Sequence, residues 1–336
     1  MSLAPRPKVC VIGAGAIGGF FGVQLAARGA EVSVVARGRT LDALRTRGWI
    51  LESGGKQIVA PVRAVADAKE LGPQDMVILA VKAYALADVA PLVRTLLGPS
   101  TAVVPALNGV PWWFTLGETG LPIAGRLRSV DPKGMIEAAI PIESVIGAVV
   151  YPACSSPEPG VSRHNSGTRL VFGDIGQPVG AQVPPRVESL IALLKSAGFE
   201  AEASTDIRKE VWKKLLGNAC FNPVSLLTGS ATDLLIDDPH IYPLFATMMT
   251  ETLAVGRALG IDVGLKPPER IAMTRKLGHV KTSMLQDAEA GRPVEIDSIL
   301  GAVNEMARRL NVATPANDIV HALAHTRART FGLLKN

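Results

Sequence analysis

The order of apolar and polar positions divides the chain into two regimes. Up to about residue 203 short apolar runs alternate with helical periodicity, and beyond it helical periodicity stands alone. Residues 9–12, Val-Cys-Val-Ile, form a continuous apolar run ending at Gly13, which predicts a buried strand. Ile17, Phe21, Leu25 and Arg28 recur at helical spacing and predict an amphipathic helix. Gly29 stands where a helix stops, and 31–36 reads as a second apolar strand. A short helix over 40–48 precedes a hairpin, with strands at 49–52 and 57–60 around Ser53-Gly54-Gly55-Lys56. A buried-type strand at 75–81, a helix over 84–97 and a strand at 101–107 closed by Asn108-Gly109 follow. Further strands are expected at 145–151, 160–164, 169–173 and 199–203, with an amphipathic helix over 184–197 before the last. From Asp206 on, helices are expected at 206–221, 239–260, 267–278, 293–310 and 315–330.

The first strand, helix and second strand carry a motif. Gly13, Gly15 and Gly18 make G-x-G-x-x-G inside a βαβ unit of the expected length. In a chain with 33 glycines the spacing alone is weak, and the flanking strand and helix are what strengthen it. Gly13 lets the chain turn, Gly15 lets backbone approach a pyrophosphate, and Gly18 lets the helix pack on the sheet. Ala14, Ala16 and Ile17 complete the loop, whose helix N-terminus offers free N–H groups and partial positive charge. The fold class is therefore an α/β Rossmann-type N-terminal domain, 1–205, followed by an all-α C-terminal domain, 206–336. The boundary falls near Ser204 and Thr205. The alternative is a βαβ unit that binds nothing.

The second strand ends Val35-Ala36-Arg37, with no acid to hold a ribose 2′-hydroxyl. Arg37 can fork onto a 2′-phosphate, which favours NADPH over NADH, unless it is only a solvated loop residue. Lys82 and Asn108 also stand at carboxyl ends of predicted strands, where ligands of open α/β sheets gather. Alone, either is an ordinary helix-start or turn residue.

Composition narrows the classes. A length of 336 residues suits two domains, and with 4% aromatics the core is built from Val, Leu, Ile and Ala. The net charge of +5 is interspersed, without a dense Lys/Arg run, so no nucleic-acid role is expected; the excess favours anionic cofactor and substrate. Cys10, Cys154 and Cys220 lack metal or redox spacing and suit a reducing, cytoplasmic setting. Arg6 and Lys8 before an apolar run imitate a signal peptide, but the glycine pattern fits the dinucleotide helix better. No run reaches membrane-span length, so no membrane association is expected. The assembly considered is a homodimer.

A second constellation lies in the helical region. Lys214, Asn218 and Asn222 fall at i, i+4 and i+8 and form one stripe on a helix whose other positions are nearly all apolar. A polar stripe on a buried helix needs partners, and two asparagines are poor choices for a helix interior. It is either functional or a structural network between helices. Pro293 suits a first helical position, which puts Glu295 in the first turn, where a dipole-favoured surface acid is the plain alternative. Ser283 by itself is only a hydroxyl. Trp112, Trp113 and Phe114, in the irregular Gly/Pro-rich stretch 111–141, either line a pocket or partner surface or pack locally. His321 and His325 are i, i+4 on a helix without a suitably spaced third ligand, so no metal is expected.

Taken together, G-A-G-A-I-G-G, V-K-A-Y, L-N-G-V, W-K-K-L-L-G-N-A-C-F-N-P, T-S-M-L-Q-D and V-E-I-D resemble the ketopantoate reductase (2-dehydropantoate 2-reductase) family over nearly the whole chain. The last three are far more specific than the glycine fingerprint, and Ser283 lies twelve positions before Glu295, as the family requires. The resemblance implies a Rossmann domain, a helical domain and an active site in the cleft between them. It implies a catalytic lysine at Lys214, assisted by Glu295, and substrate contacts from Asn218, Asn222, Ser283, Glu295 and Asn108. Cofactor contacts are implied for the glycine loop, Arg37, Lys82, Asn108 and Glu295. The implied activity is NADPH-dependent reduction of ketopantoate to pantoate. The alternatives are reduction of another 2-oxo acid, branched or aromatic, or a protein that senses NADPH without catalysis. The chain departs from the family in the longer 111–141 stretch and in Thr232, where some members carry a further substrate-binding asparagine.

Overall fold

The computed structural model describes residues 6–117 and 120–335. The chain divides into two compact units, Met1–Leu107 with Gly134–Ile207, and Asn108–Lys133 with Arg208–Asn336. The helical unit therefore takes in Asn108–Lys133, which the expected boundary near Ser204 and Thr205 left in the first domain.

The first unit opens with β1 (Lys8–Ile12), α1 (Ala16–Ala27), β2 (Glu31–Val35), α2 (Gly38–Arg47), β3 (Trp49–Ser53), β4 (Lys56–Ala60), β5 (Arg63–Val65), β6 (Met76–Leu79), α3 (Leu86–Arg94) and β7 (Ala102–Pro105). It continues with α4 (Met135–Ala139), β8 (Ile146–Val150), β9 (Ala153–Glu158), β10 (Val161–Ser166), β11 (Arg169–Asp174), α5 (Pro185–Ser196) and β12 (Glu200–Ala203). Five parallel strands in the order β5-β2-β1-β6-β7 make the main sheet. The chain leaves β1 towards β2 on one side and returns to β6 on the other, so the strand order reverses between β1 and β6. Their carboxyl ends form the crevice where such sheets take ligands. The apolar runs 9–12 of β1 and Met76–Leu79 of β6 fit this central place, since strands covered on both faces need no alternation.

The helix α1 is not amphipathic as expected. Gly18, Gly19, Phe20, Phe21, Gly22, Val23 and Leu25 are all buried. A second sheet, β4-β3-β10-β9, covers the face that would otherwise meet water. Glycines make the close approach possible. A Cβ at Gly22 would stand 2.4 Å from the Trp49 ring, and one at Gly19 would stand 1.8 Å from the Ser162 hydroxyl. Each glycine costs about 1 kcal/mol of helix propensity against alanine. Burial of Trp49 against the helix, and of the helix's own Phe20 and Phe21, offsets this, at about 1.5–3 kcal/mol for each large apolar side chain. The strands β5 and β9 were not expected. β5 has three residues, and β9 is mostly exposed and polar, so neither carries a strong apolar signal. β12, β11 and β8 form a third, three-stranded sheet.

The second unit holds α6 (Ile207–Thr228), α7 (Thr232–Asp237), α8 (Ile241–Ala258), α9 (Pro267–Arg275), α10 (Ser283–Glu289), α11 (Ala302–Arg309) and α12 (Pro315–Thr330). Its α6 runs through Pro223, past the expected stop near 221, because Phe221, Val224 and Leu226 stay buried across the proline. The expected helix at 293–310 does not start with Pro293 at its first position. Helical structure begins at Ile296, and Asp297–Gly301 is a π-helical turn leading into α11. The short α7 and α10 lie below the length at which periodicity is readable. Trp112, Trp113 and Phe114 pack locally. All three are buried, Phe114 stacks near Trp212, and Arg208 lies over Trp113 while donating to the Phe114 carbonyl. Glu305 accepts from the Arg128 and Ser129 backbone N–H groups and ties the same excursion to α11.

Candidate active site

In the first unit the glycine loop occupies the β1/β6 switch point. Gly13 has φ +108, and a Cβ there would lie 2.6 Å from the Ala80 carbonyl oxygen, so only glycine lets the chain turn past the end of β6. A Cβ on Gly18 would sit 1.9 Å from the Gly13 carbonyl oxygen. Gly15 differs: nothing lies within 4 Å of its Cβ position, so its face is open. Gly15 is the N-cap of α1, and the first turn, Ala16 and Ile17 included, has no acidic residue to compete for its N–H groups. Arg37 caps α2 just past β2, exposed. Lys82 caps the short 3₁₀ turn Ala83–Ala85 past β6, half-buried.

Sequence reasoning missed Ser162. It is fully buried on β10, and its hydroxyl donates to the Gly15 carbonyl oxygen at 3.1 Å. The same oxygen accepts the Gly19 N–H at 2.9 Å. With the carbonyl held on both bonds, the N–H groups of the loop keep their outward aim. The readable signal was Gly19, an extra glycine beyond the fingerprint that gives Ser162 its room.

In the second unit α6 presents Lys214, half-buried, with its Nζ donating to Asn108 Oδ1 at 2.7 Å. Lys214 has its pKa pushed down from 10.5 to about 8. Burial, which disfavours the ammonium, lowers it, and the Glu295 carboxylate opposes by raising it. Glu295 is buried just ahead of Ile296, where helical structure starts, so its charge also meets the favourable end of a helix dipole. Three residues distant in sequence are thus brought together: Asn108, Lys214 and Glu295. Asn218 is half-buried and Asn222 buried on the same stripe, and neither side-chain amide makes a hydrogen bond among the described residues. Amides on a largely apolar helix without protein partners suit a polar ligand.

Ser283 is exposed in the first turn of α10 and makes no side-chain hydrogen bond to this cluster among the described residues. Its neighbour Thr282 is the one that caps α10, accepting the Leu285 N–H. Thr232 is buried, with both its hydroxyl and its N–H given to the Val280 carbonyl. His321 and His325 lie beside Asp297, each Nε2 3.9 Å from the same carboxylate oxygen. The thiols of Cys10, Cys154 and Cys220 are pushed up to about 12 by burial, which removes them as nucleophiles near neutrality. No described helix is long and apolar enough to cross a membrane.

Comparison with known proteins adds three findings. The sequence profile of "Ketopantoate reductase PanE/ApbA" matches residues 9–177, and that of "Ketopantoate reductase PanE/ApbA C terminal" matches 206–328. A 2-dehydropantoate 2-reductase from Mesorhizobium japonicum is 44% identical over 96% of this chain and 98% of its own. Among solved structures, a chain from Ralstonia solanacearum assigned provisionally to ketopantoate reductase superposes with a TM-score of 0.92 at 44% identity, covering 97% of this chain and 99% of its own. A 2-dehydropantoate 2-reductase from Methylococcus capsulatus superposes with a TM-score of 0.81 at 30% identity, covering 96% and 97%.

Proposed function

The chain belongs to the ketopantoate reductase PanE/ApbA family, and from that premise we propose that it reduces 2-dehydropantoate (ketopantoate) to pantoate with NADPH, a step of pantothenate and coenzyme A synthesis. The observation that carries the reading is the Lys214 ammonium, half-buried, bonded to Asn108 and lowered to a pKa of about 8.

The residues fit a nicotinamide dinucleotide. The open face of Gly15 and the unopposed N–H groups of the α1 N-terminus suit a pyrophosphate. Arg37 follows β2 where an acid would favour the plain ribose, and its guanidinium suits a 2′-phosphate. Lys82 adds a second cation past β6, the strand on the other side of β1. When bound, the cofactor supplies the hydride that reduces the ketone carbon.

The side chains supply orientation and a proton. As the ketone oxygen gains charge, Lys214 donates a hydrogen bond and then the proton that completes the hydroxyl. A lysine at about 8 remains mostly protonated at neutral pH, yet gives up its proton far more readily than one at 10.5. Asn108 holds the Lys214 ammonium in place from its Oδ1. Asn218 and Asn222 can hydrogen-bond the substrate's polar groups, and Ser283 can donate to its carboxylate. Glu295, acceptor-only when ionised, suits a substrate hydroxyl or the lysine and repels a carboxylate. The presence of a tuned proton donor weighs against a sensor that only binds NADPH.

The test is NADPH consumption by the purified protein with ketopantoate beside a panel of branched and aromatic 2-oxo acids. Selective turnover of ketopantoate is expected. A second reading, another 2-oxo acid as substrate, is favoured by Thr232, whose hydroxyl is committed to Val280 where some members carry a substrate-binding asparagine. Burial of Trp112 and Trp113 removes the other support for that reading, a pocket enlarged by their loop. Preference for a different acid in the panel would move the substrate and keep the mechanism.

A further inference from the structure

Lys214 is on α6, Asn108 is on the excursion 108–133, and Glu295 precedes α11, so something must fix three separate segments to within hydrogen-bond tolerance. The contacts between the second and third segments are unusual. Gly109, directly after Asn108, has φ +81, a conformation that favours glycine. Its Cβ position lies 2.6 Å from the Ser298 carbonyl oxygen and 2.9 Å from the Ser298 hydroxyl oxygen. One residue further on, the Val110 N–H donates to the same Ser298 carbonyl at 2.7 Å. Ser298 belongs to the π-helical turn, in which the Ala302 N–H reaches back five residues to the Asp297 carbonyl. Ser298 also donates from its hydroxyl to the Glu295 carbonyl at 3.3 Å. The turn is buried at Ser298, Ile299, Leu300 and Gly301. A π-turn widens the helix by one residue and re-aims carbonyls that an α-helix would use internally, which is why such turns gather at functional sites.

We propose that Gly109 and the π-turn at Ser298 form a clamp that sets Asn108 and Glu295 on Lys214, making Gly109 and Ser298 positioning residues for the reaction. The inference rests on the reductase reading above. The clamp works in both directions along the chain. Towards Asn108, the Val110–Ser298 bond and the absence of a Cβ at Gly109 hold the asparagine one residue from a fixed point. Towards Glu295, the same Ser298 bonds the carbonyl three residues before it. Both ends of the clamp therefore terminate on groups that stabilise the charged form of Lys214, Asn108 by accepting its hydrogen bond and Glu295 by its negative charge.

That arrangement gives a readout which simple loss of structure does not. Gly109→Ala must push the Ser298 backbone away, so both supports of the Lys214 ammonium loosen together and its pKa falls further. The expected result is a kcat reduced by about 100-fold, the scale of an ångström-sized misplacement, with the alkaline limb of the kcat profile moved to lower pH. The glycine loop and Arg37 are untouched by the substitution, so the NADPH dissociation constant should rise far less than kcat falls. A folded Gly109→Ala protein with wild-type kcat and an unmoved alkaline limb overturns the clamp, as does a loss that only follows the melting temperature. Hydrogen exchange on the wild-type protein keeps the test sound should the variant fold poorly: the Val110 amide should exchange as slowly as the amides of α11, and fast exchange overturns the proposal. Wild-type turnover of a 2-oxo acid, measured in the same series, separates failure of the clamp from failure of the reductase reading.

Discussion

The two units build their functional surfaces from different materials. In the first, backbone does the work: Gly13, Gly15 and Gly18 shape a loop at the N-terminus of α1, whose N–H groups are the recognition elements in the function proposed. In the second, side chains do it: Lys214, Asn108 and Glu295 come from three segments, with Asn108 and Glu295 acting on the Lys214 ammonium. A backbone site is specified by what must be missing, here Cβ atoms, and is compact in sequence. A side-chain site is specified by what must meet, and its parts lie wherever the fold can bring them.

That contrast can be broken by substitutions that should affect one unit and spare the other. The largest effect on turnover should come from Lys214→Ala, which removes the proton donor and lowers kcat about a thousandfold while NADPH binds as before by fluorescence titration. Unchanged turnover would remove Lys214 from the mechanism. Trp113→Ala should destabilise the helical unit by about 3–5 kcal/mol, the usual range for emptying a buried aromatic site, in a denaturant titration. A changed substrate preference at preserved stability would instead restore the Trp loop as a pocket wall. Arg37→Ala should weaken NADPH by about 10- to 100-fold, the worth of a charge-assisted hydrogen bond, and leave NADH nearly untouched. Equal losses would mean that Arg37 does not read the 2′-phosphate. The smallest effect should come from Ser162→Ala. Losing one buried hydrogen bond of about 1 kcal/mol should raise the KM for NADPH roughly fivefold with kcat unchanged, and a falling kcat would contradict a role confined to the glycine loop.

The same contrast explains how much the sequence disclosed. The β1-α1-β2 unit, the turn at Gly13, the close packing at Gly18 and the strands with strong apolar runs were readable because each signal is local. The stripe of Lys214, Asn218 and Asn222 was readable because one helix carries it. That Asn108 would be the partner of Lys214 was not, since 106 residues separate them and only packing of the 108–133 excursion into the helical unit joins them. Ser162 was hidden for the same reason: a serine in a polar strand gives no sign that a glycine loop lies beneath it. The amphipathic reading of α1 failed because helical periodicity cannot reveal a second sheet on the outer face. Pro293 misled because a π-turn, not a capped α-helix, follows Glu295.

The central claim is that Lys214 delivers the proton and that burial, opposed by Glu295, sets its pKa. The most direct measurement is kcat against pH for the wild-type protein and for Glu295→Gln. A donor must be protonated to act, so the wild-type rate should hold below its pKa and fall as pH rises through about 8. Glu295 raises that pKa, so removing its charge should bring the fall to lower pH. An alkaline limb that stays in place in Glu295→Gln, or a wild-type limb near the ordinary lysine value of 10.5, would contradict the account.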